Sequence, residues 1–354
     1  MTPELGIIEG RFGRPWRWAE RTAVVTLLSR AGYRFYHYGP KADRYLRRNW
    51  REEHPVEEAE AIAAFSAECR RLGVRFGMAL TPMGATHPFG PDARTDLARR
   101  LAALDAIGID DLAILFDDLR GDMPGLAEQQ AAVVDYCAER TSATRVYFCP
   151  TYYSDDPILD RAFGERPRDY IAELGRRLDA AVRVYWTGEE VCSREVGVGH
   201  LQRVSGELGR PVCLWDNYPV NDGPRMSRLL HLRAFTGRPA AIGALLSAHA
   251  VNPAIQPMLS CIPALTLAAS YREGEAYAYG DAFFAAAREV VGEELAVMLR
   301  DDLPALQDVG LERLGDRRGA LRARYAAIDH AAAIEVVRWL DGVDLVTDDE
   351  VKTQ

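Results

Sequence analysis

Short apolar runs alternate with longer amphipathic stretches along most of the chain. Eight of these runs predict strands, at residues 5–10, 33–38, 75–80, 112–117, 145–150, 183–188, 211–217 and 241–247. The stretches between them carry apolar residues at three- and four-residue spacing and end at a glycine, as in 56–73 and 92–108, which predicts helices. Eight strands with intervening helices imply parallel pairing and a (β/α)8 barrel of the TIM type. A doubly wound open sheet is the alternative, but no GxGxxG follows any predicted strand.

The alternation stops after residue 272, where two helical stretches follow each other at 280–303 and 318–343. We therefore predict a barrel domain over 1–272 and a small helical region over 273–354, whose final residues 348–354 fray. The first helical stretch is too apolar for a solvent-facing helix, so it is expected to pack on the barrel or to pair in a homodimer. Its apolar residues are Phe283, Phe284, Val290, Val291, Leu295 and Leu299.

Composition narrows the possible partners and the location of the protein. The 354 residues carry a net charge of -9, which argues against a nucleic-acid partner. The longest apolar stretches fall short of the roughly 20 residues that a membrane span needs, so no membrane is expected. The six scattered cysteines form no CxxC pair, and the N-terminal residues do not resemble a signal peptide. These features predict reduced thiols and a cytoplasmic protein.

Unusual polar residues follow six of the predicted strands. The most distinctive are Asp117 and Asp118, a doubled carboxylate at the end of an apolar run. An unpaired charge costs several kcal/mol to bury, so such a pair is rarely placed there for stability alone. In a (β/α)8 barrel the ends of the strands share one rim, which is where catalytic residues lie. The sequence therefore predicts a functional site at this rim.

Several segments at these strand ends resemble the catalytic domain of glycoside hydrolase family 84. This family comprises β-N-acetylglucosaminidases, including the O-GlcNAcases and bacterial enzymes once called hyaluronidases. The resemblance covers about residues 5–272 and does not extend clearly to the helical region. The segments are GIIEGRFGRPW (6–16), GPKADRY (39–45), ILFDDL (114–119), FCPTYY (148–153), VYWTGEEV (184–191), LWDNYPVND (214–222) and NP (252–253).

The resemblance implies a retaining glycosidase without an enzymic nucleophile. The 2-acetamido carbonyl of the substrate attacks the anomeric carbon and forms an oxazoline, an exception to the scheme with a glycosylated carboxylate. By resemblance, Asp117 orients the acetamido group and Asp118 is the general acid and base. Tyr153 bonds the acetamido oxygen, and Trp215 is a wall of the acetamido pocket. The further substrate-binding residues implied are Asn217, which supports the aspartates and the sugar, Asp222, which holds the outer hydroxyls, and Gly10, Lys41 and Asn252.

The chain departs from the family pattern after its first strand. Arg11 and Phe12 stand where the family usually has phenylalanine and tyrosine, and Tyr152 replaces a carboxylate or small polar residue. Arg11 then has two interpretations. It is a turn residue that faces solvent or pairs with an acidic neighbour such as Asp43, or it faces the sugar or aglycone and favours acidic leaving groups.

Other classes of protein stay open at this point. Lys41 could be a solvated loop charge, Trp215 could be core, and Tyr185 and Trp186 are more typical of core than of a site. A silent barrel that binds N-acetylglucosamine is one alternative, and a metal-dependent hydrolase using Glu9, Asp117, Asp118 and Asp216 is another. The seven histidines show no HxH or HExxH spacing, so no metal or organic cofactor is expected. The expected partner is a glycoprotein, glycopeptide or small glycoside that carries N-acetylglucosamine.

Overall fold

A closed barrel of eight parallel strands forms the centre of the chain. The computed structural model describes residues 2–86 and 89–354. Each strand pairs with its neighbours in sequence, and β8 closes the barrel on β1. The strands are β1 (Leu5–Glu9), β2 (Tyr33–Tyr38), β3 (Arg75–Leu80), β4 (Asp111–Leu115), β5 (Arg145–Cys149), β6 (Arg183–Trp186), β7 (Val212–Asp216) and β8 (Leu246–Val251). The predicted (β/α)8 barrel is confirmed, and the open sheet is wrong.

Helices connect the strands on the outside of the barrel. They are α1 (Trp18–Arg30), α2 (Val56–Arg71), α3 (Pro91–Ile107), α4 (Leu126–Ala138), α5 (Pro157–Phe163), α6 (Tyr170–Arg177), α7 (Val198–Leu208) and α8 (Pro257–Glu273). The prediction that α3 ends at a glycine is confirmed, since Gly108 is its C-cap in the left-handed conformation at φ 85°. Strand order and helix position together place the carboxyl ends of all eight strands on one rim.

The predicted position of the eighth strand is wrong. Residues Ala240–Leu245 form a 3₁₀ helix, and the strand begins only at Leu246. The strand carries a buried histidine, His249, whose Nε2 lies 3.0 Å from Oδ2 of Asp216 on β7. Arg238 donates two further hydrogen bonds to that carboxylate, at 2.7 and 2.8 Å. A strand that buries an ionic network lacks the continuous apolar run by which strands are found in sequence.

Helices alone follow α8 in the described part of the chain. They are α9 (Tyr279–Leu303), a π-helical turn (Pro304–Val309), α10 (Arg317–Ala326), α11 (Ala331–Leu340) and α12 (Asp348–Thr353). Helix α9 breaks at Gly292, whose φ of 78° is not helical. The stretch predicted over 318–343 is two helices, since the side chain of His330 caps α11 by accepting the amide of Ala332 at 3.1 Å.

The C-terminal region packs on the barrel helices and shares their hydrophobic core. Five of the six apolar residues singled out in α9 are buried, and the sixth, Phe284, is partly buried against the core. Helix α9 packs along α8, which supports packing on the barrel. Glu335 of α11 adds a polar link, because its two carboxylate oxygens accept the amides of Met258 and Leu259 at 2.9 Å.

The last residues do not fray as predicted. Residues 348–353 form α12, and its N-terminus is closed by a reciprocal capping box between Thr347 and Glu350. All six residues of this helix are at least partly exposed. The helix lies against the loops that follow β1 and β2, as described below.

Two predictions from composition concern cysteines and membranes. All six cysteines are unpaired in this structure; five are buried and Cys192 is exposed. Within residues 2–86 and 89–354, the helices are each too short or too polar to cross a bilayer. Cytoplasmic location stays a prediction.

Candidate active site

A cavity of about 270 Å³ opens at the rim formed by the carboxyl ends of the strands. All nine residues predicted from the sequence line it, although they come from six different strand ends. They are Gly10, Lys41, Asp117, Asp118, Tyr153, Trp215, Asn217, Asp222 and Asn252. The fold therefore collects residues that are up to 242 positions apart in sequence.

Asp117 and Asp118 both face the cavity because the chain turns directly after β4. On a regular strand, neighbouring side chains point to opposite faces. Here β4 ends at Leu115, and Asp118 adopts a left-handed backbone conformation with φ 62°. Among residues other than glycine, aspartate and asparagine are those that adopt this conformation most readily. The turn thus places two adjacent carboxylates on one wall.

Lys41 connects the two carboxylates. Its Nζ contacts Oδ2 of Asp117 and lies 3.2 Å from Oδ2 of Asp118. The lysine is buried, at 2% exposure, so it is not a solvated loop charge. With Oδ2 of Asp117 held by lysine, its Oδ1 is buried and has no hydrogen-bond partner among the described residues.

Arg47 is a second cation at this wall that the sequence analysis missed. Its Nη1 lies 3.9 Å from Oδ2 of Asp118, and the side chain is only 6% exposed. The guanidinium also lies 5.9 Å from the centre of the Phe12 ring. The signal was the arginine-rich segment 44–51 that follows Lys41, but solvent-exposed arginines would give the same pattern, and only the distance to Asp118 distinguishes Arg47.

Tyr153 follows β5 and is buried beside the carboxylates. Burial, with the charges of Asp118 and Asp117 adding to it, raises the pKa of Tyr153 well above its ordinary value. The phenol therefore stays protonated at neutral pH and can act as a hydrogen-bond donor. Its backbone carbonyl is fixed by the amide of Thr187 at 2.9 Å.

A hydrogen-bonded network holds the opposite wall. Oδ1 of Asn217 accepts from Trp215 Nε1 at 3.0 Å and from Asn252 Nδ2 at 2.9 Å, while its Nδ2 donates to the carbonyl of Val191 at 2.8 Å. The amide of Gly10 donates to Asn252 at 3.3 Å. Trp215 is buried but lines the cavity, so it is both core and wall. Asn217 positions this wall.

Gly10 allows the tryptophan to pack against the first strand end. A Cβ at this position would lie 2.3 Å from Cζ2 of Trp215, closer than any real contact. A rigid indole ring cannot yield as the end of a flexible side chain can. The glycine is therefore needed for close approach rather than for backbone freedom.

Asp222 lies in the loop after β7 and lines the cavity. Its Oδ2 accepts the backbone amide of Phe12 at 2.9 Å. Burial raises the pKa of the Asp222 carboxyl, and this amide, Arg11 and Lys41 oppose the rise. The hydrogen bond from the Phe12 amide to Asp222 connects the loop after β1 to the loop after β7.

The interpretation that Arg11 faces the sugar or aglycone is wrong, and its pairing with an acidic neighbour is confirmed, although the neighbour is Glu9 rather than Asp43. Arg11 is fully buried beneath the loop rather than facing solvent or the cavity. Its Nη1 donates to the carbonyl of Arg14 at 2.8 Å, and its Nη2 lies 3.9 Å from Glu9. Phe12, rather than Arg11, lines the cavity. The guanidinium of Arg11 partly neutralises the buried carboxylate of Glu9, since a buried charge requires a partner of opposite sign.

The other aromatic residues in question belong to the core. Tyr152 is buried and donates to the carbonyl of Gly164 at 2.6 Å, outside the cavity lining. Tyr185 and Trp186 are fully buried, as expected. Tyr152, which differs from the usual family residue, therefore affects core packing outside the cavity lining.

The proposed oxygen ligands of a metal-dependent hydrolase are not brought together. Glu9 accepts two hydrogen bonds from Arg21, at 2.8 and 3.0 Å, and one from Tyr36. Asp216 is bound by Arg238 and His249, as described above. In residues 2–86 and 89–354, no group of three or more His, Cys, Asp or Glu side chains is placed to hold a metal ion.

Further lining residues escaped the sequence analysis. Two are cysteines, Cys149 and Cys192. Burial raises the pKa of Cys149 well above its ordinary value, so this thiol is not an activated nucleophile. The others are apolar or small, and nothing in the sequence separates such residues from core. They are Phe12, Thr187, Val191, Val220, Gly223, Pro224 and Val351.

A (β/α)8 barrel with two adjacent carboxylates in a cavity at its rim has the arrangement of a barrel enzyme's active site. More narrowly, the chain belongs to the beta-N-acetylglucosaminidase family, whose model matches residues 5–302. The family predicted from the motifs is thereby confirmed. The match continues beyond residue 272, where the recognised motifs end, into α9.

Named relatives agree with this family. The Protein O-GlcNAcases of Rattus norvegicus and Mus musculus are each 28% identical over 277 residues, which is 75% of this chain and 30% of the relative. The chain thus matches under a third of their length. A solved structure of a mutant O-GlcNAc hydrolase of Thermobaculum terrenum has a TM-score of 0.80 at 25% identity, and the match covers 96% of this chain and 81% of that chain.

Proposed function

We propose that the protein is a retaining β-N-acetylglucosaminidase that removes terminal β-linked N-acetylglucosamine by substrate-assisted catalysis. The observation that carries the proposal is Asp117, whose Oδ2 is held by Lys41 while Oδ1 is buried without a partner among the described residues. A buried acceptor without a donor is costly, so this oxygen suits a donor that arrives with a ligand. The acetamido N–H of the substrate is such a donor.

In the first step, the acetamido carbonyl oxygen bonds to the anomeric carbon as the bond to the leaving oxygen breaks. Asp117 accepts the acetamido N–H and stabilises the positive charge of the forming oxazoline. Asp118 transfers its proton to the leaving oxygen. Tyr153, a protonated phenol, donates a hydrogen bond to the acetamido oxygen and so orients it.

In the second step, water attacks the anomeric carbon from the face that the leaving group vacated. Asp118, now a carboxylate, takes the proton of that water as the oxazoline opens, and the product keeps the β configuration. Nζ of Lys41 and Nη1 of Arg47 lie 3.2 and 3.9 Å from Oδ2 of Asp118 and hold this side chain at the wall of the cavity. The same residue thereby serves as acid and then as base.

The remaining lining residues suit the sugar. Asp222, Lys41, Gly10 and Asn252 offer polar atoms to its hydroxyls, and Trp215 forms an apolar wall for the acetamido methyl. The cavity of about 270 Å³ lies near the lower end of the roughly 300–1,000 Å³ typical of small-molecule sites, so it suits one sugar with the aglycone outside.

For the natural substrate, we propose a protein or glycopeptide that carries N-acetylglucosamine, with small glycosides as further substrates. The support is the similarity to the rat and mouse Protein O-GlcNAcases, whose name specifies a protein substrate. Comparison of kcat/KM for a glycopeptide, a chitin fragment and an aryl glycoside tests this choice. A marked preference for the chitin fragment would contradict it.

The direct test is hydrolysis of an aryl N-acetyl-β-glucosaminide, followed by NMR of the first anomer released. We expect hydrolysis by the wild type with release of the β anomer, and the same rate for the surface control Asp281→Asn. A silent binding barrel would bind N-acetylglucosamine without hydrolysis, and an inverting enzyme would release the α anomer. Loss of activity on exhaustive chelation would favour the metal-dependent hydrolase.

A homodimer through the C-terminal helices stays a prediction. The apolar face of α9 is largely covered by α8 of the same chain, which favours the alternative of packing in one chain. Light scattering distinguishes the two, since a monomeric mass would contradict the dimer.

A further inference from the structure

The C-terminal helix α12 reaches the cavity. Val351 is one of its lining residues, although it lies 99 residues beyond Asn252, the last lining residue of the barrel. Two contacts hold the helix against barrel loops. Oε1 of Gln354 accepts the amide of Gly13 at 2.8 Å, and the carbonyl of Lys352 accepts from the guanidinium of Arg48.

The segment before α12 is anchored more firmly than the helix itself. Val346 is buried, and its amide donates to Oγ of Ser227 at 3.1 Å. Asp344 pairs with Arg338 at 2.6 Å and with Arg14 at 3.6 Å. These contacts fix the position of α12 at the rim, beside Gly13 and Arg48.

That place is one defined side of the cavity. Gly13 and Arg48 belong to the loops after β1 and β2, which lie across the closed barrel from β5 and β6. The neighbouring Phe12 amide is bonded to Asp222. Tyr153 follows β5, which lies across the closed barrel from β1. Val351 therefore adjoins the side that holds Asp222.

Under the proposed function, on which this inference rests, the Asp222 side receives the outer hydroxyls of the sugar. We infer that Val351 of α12 is a specificity-determining residue that closes this side and restricts the enzyme to N-acetylglucosamine that is unsubstituted at O4 and O6. A substituent there would need the volume that Val351 occupies at the edge of the cavity.

The test compares full-length wild type, Val351→Gly and the control Lys352→Ala, whose exposed side chain is on the same helix. The substrates are an aryl N-acetyl-β-glucosaminide and its 4-O-methyl and 6-O-methyl ethers. We expect the wild type to disfavour at least one ether by about 10- to 200-fold in kcat/KM. Val351→Gly should reduce that ratio about tenfold, and Lys352→Ala should leave it unchanged.

A second variant separates this role from a structural one. Val351→Trp should raise KM for the unsubstituted glycoside with little change in kcat, because it fills the binding side without touching the reacting atoms. Unfolding midpoints equal to the wild type would confirm that folding is intact. Wild-type ratios in Val351→Gly together with a wild-type KM in Val351→Trp would overturn the inference.

Dissociation constants for free N-acetylglucosamine and its methyl ethers provide the same comparison without turnover. If the wild type binds these sugars but does not hydrolyse the glycoside, the proposed function fails while the inference about Val351 is still decided by the ratio of the constants. Equal ratios in wild type and Val351→Gly would contradict the inference alone.

Discussion

The barrel rim and the C-terminal region both line the cavity, but they are anchored differently. At the rim, Asp117, Lys41 and Asn252 are buried and bonded to neighbours from other strand ends. In α12 every residue is partly exposed, and the helix is held by Gln354 and by one backbone carbonyl. The rim is thus rigid on all sides, whereas α12 is fixed mainly by the segment that precedes it.

This difference matches what each region has to do. Groups that react must be held within a fraction of an ångström, since small displacements cost large factors in rate. A side chain that only excludes a substituent needs volume rather than precise orientation. Substitutions in the rim should therefore affect rate or folding strongly, and those in the C-terminal region should have smaller effects.

The largest effect is expected for Asp118→Asn on substrates with poor leaving groups. Loss of the general acid should lower kcat/KM by about 10²- to 10⁴-fold on an alkyl glycoside or glycopeptide. An aryl glycoside with an activated leaving group should lose far less, because its leaving oxygen needs little protonation. Steady-state kinetics on both substrates checks this, and equal losses would contradict the role of Asp118.

Asp117→Asn should slow the formation of the oxazoline rather than the protonation of the leaving group. It removes the charge that stabilises the forming oxazoline, so kcat should fall about 10²- to 10³-fold on activated and poor substrates alike. The control Asp281→Asn removes a carboxylate far from the cavity and should keep the wild-type rate. A wild-type rate in Asp117→Asn would refute substrate-assisted catalysis.

Asp216→Asn should affect folding rather than chemistry. It leaves Arg238 buried without its carboxylate, which costs about 3–5 kcal/mol of unfolding free energy. Arg238 and His249 outweigh burial and lower the pKa of Asp216 from 3.8 to about 2, so the stabilisation is present above pH 3.8 and is lost as pH falls through 2. Denaturant unfolding should show the variant weaker at pH 7, with the difference shrinking in acid. A constant difference from pH 7 to pH 2 would contradict this assignment.

The smallest effect is expected at the link between the two regions. Glu335→Ala leaves the amides of Met258 and Leu259 buried without an acceptor, which should cost about 1–3 kcal/mol. Activity at low temperature should stay close to wild type, because α8 begins several residues after Asn252. A loss as large as that of Asp216→Asn would show that the C-terminal region is as tightly coupled to the barrel as the strands are to each other.

The sequence predicts most of the barrel because strand and helix periodicities differ clearly there. The prediction of β8 fails, because the strand was assigned to the apolar run 241–247 whereas the observed strand Leu246–Val251 includes His249. The polar partner that makes this histidine acceptable is Asp216, which lies 33 residues earlier. Tertiary pairing of this kind has no local signal.

The site divides in the same way. Asp117 and Asp118 are found from their position at the end of an apolar run, and the other seven predicted residues from the resemblance to the family; all nine line the cavity. The burial of Arg11 and the identity of its acidic partner were missed because the burial of Glu9, which it faces, cannot be predicted from the segment alone. The segment 348–354 looks frayed because its docking uses the Lys352 carbonyl and the Gly13 amide, groups that every residue carries.

The left-handed backbone of Asp118 limits how this protein could evolve. Only glycine, asparagine and aspartate adopt a backbone conformation at φ 62° with little strain. For other residues this conformation costs about 1–2 kcal/mol. Of those three, aspartate alone can donate and recover a proton. Under the proposed function, a single-nucleotide change to an asparagine codon would leave the turn in place and remove the general acid, whereas glutamate would keep the acid but strain the turn. Loss of activity is therefore an easier path for this lineage than relocation of its acid.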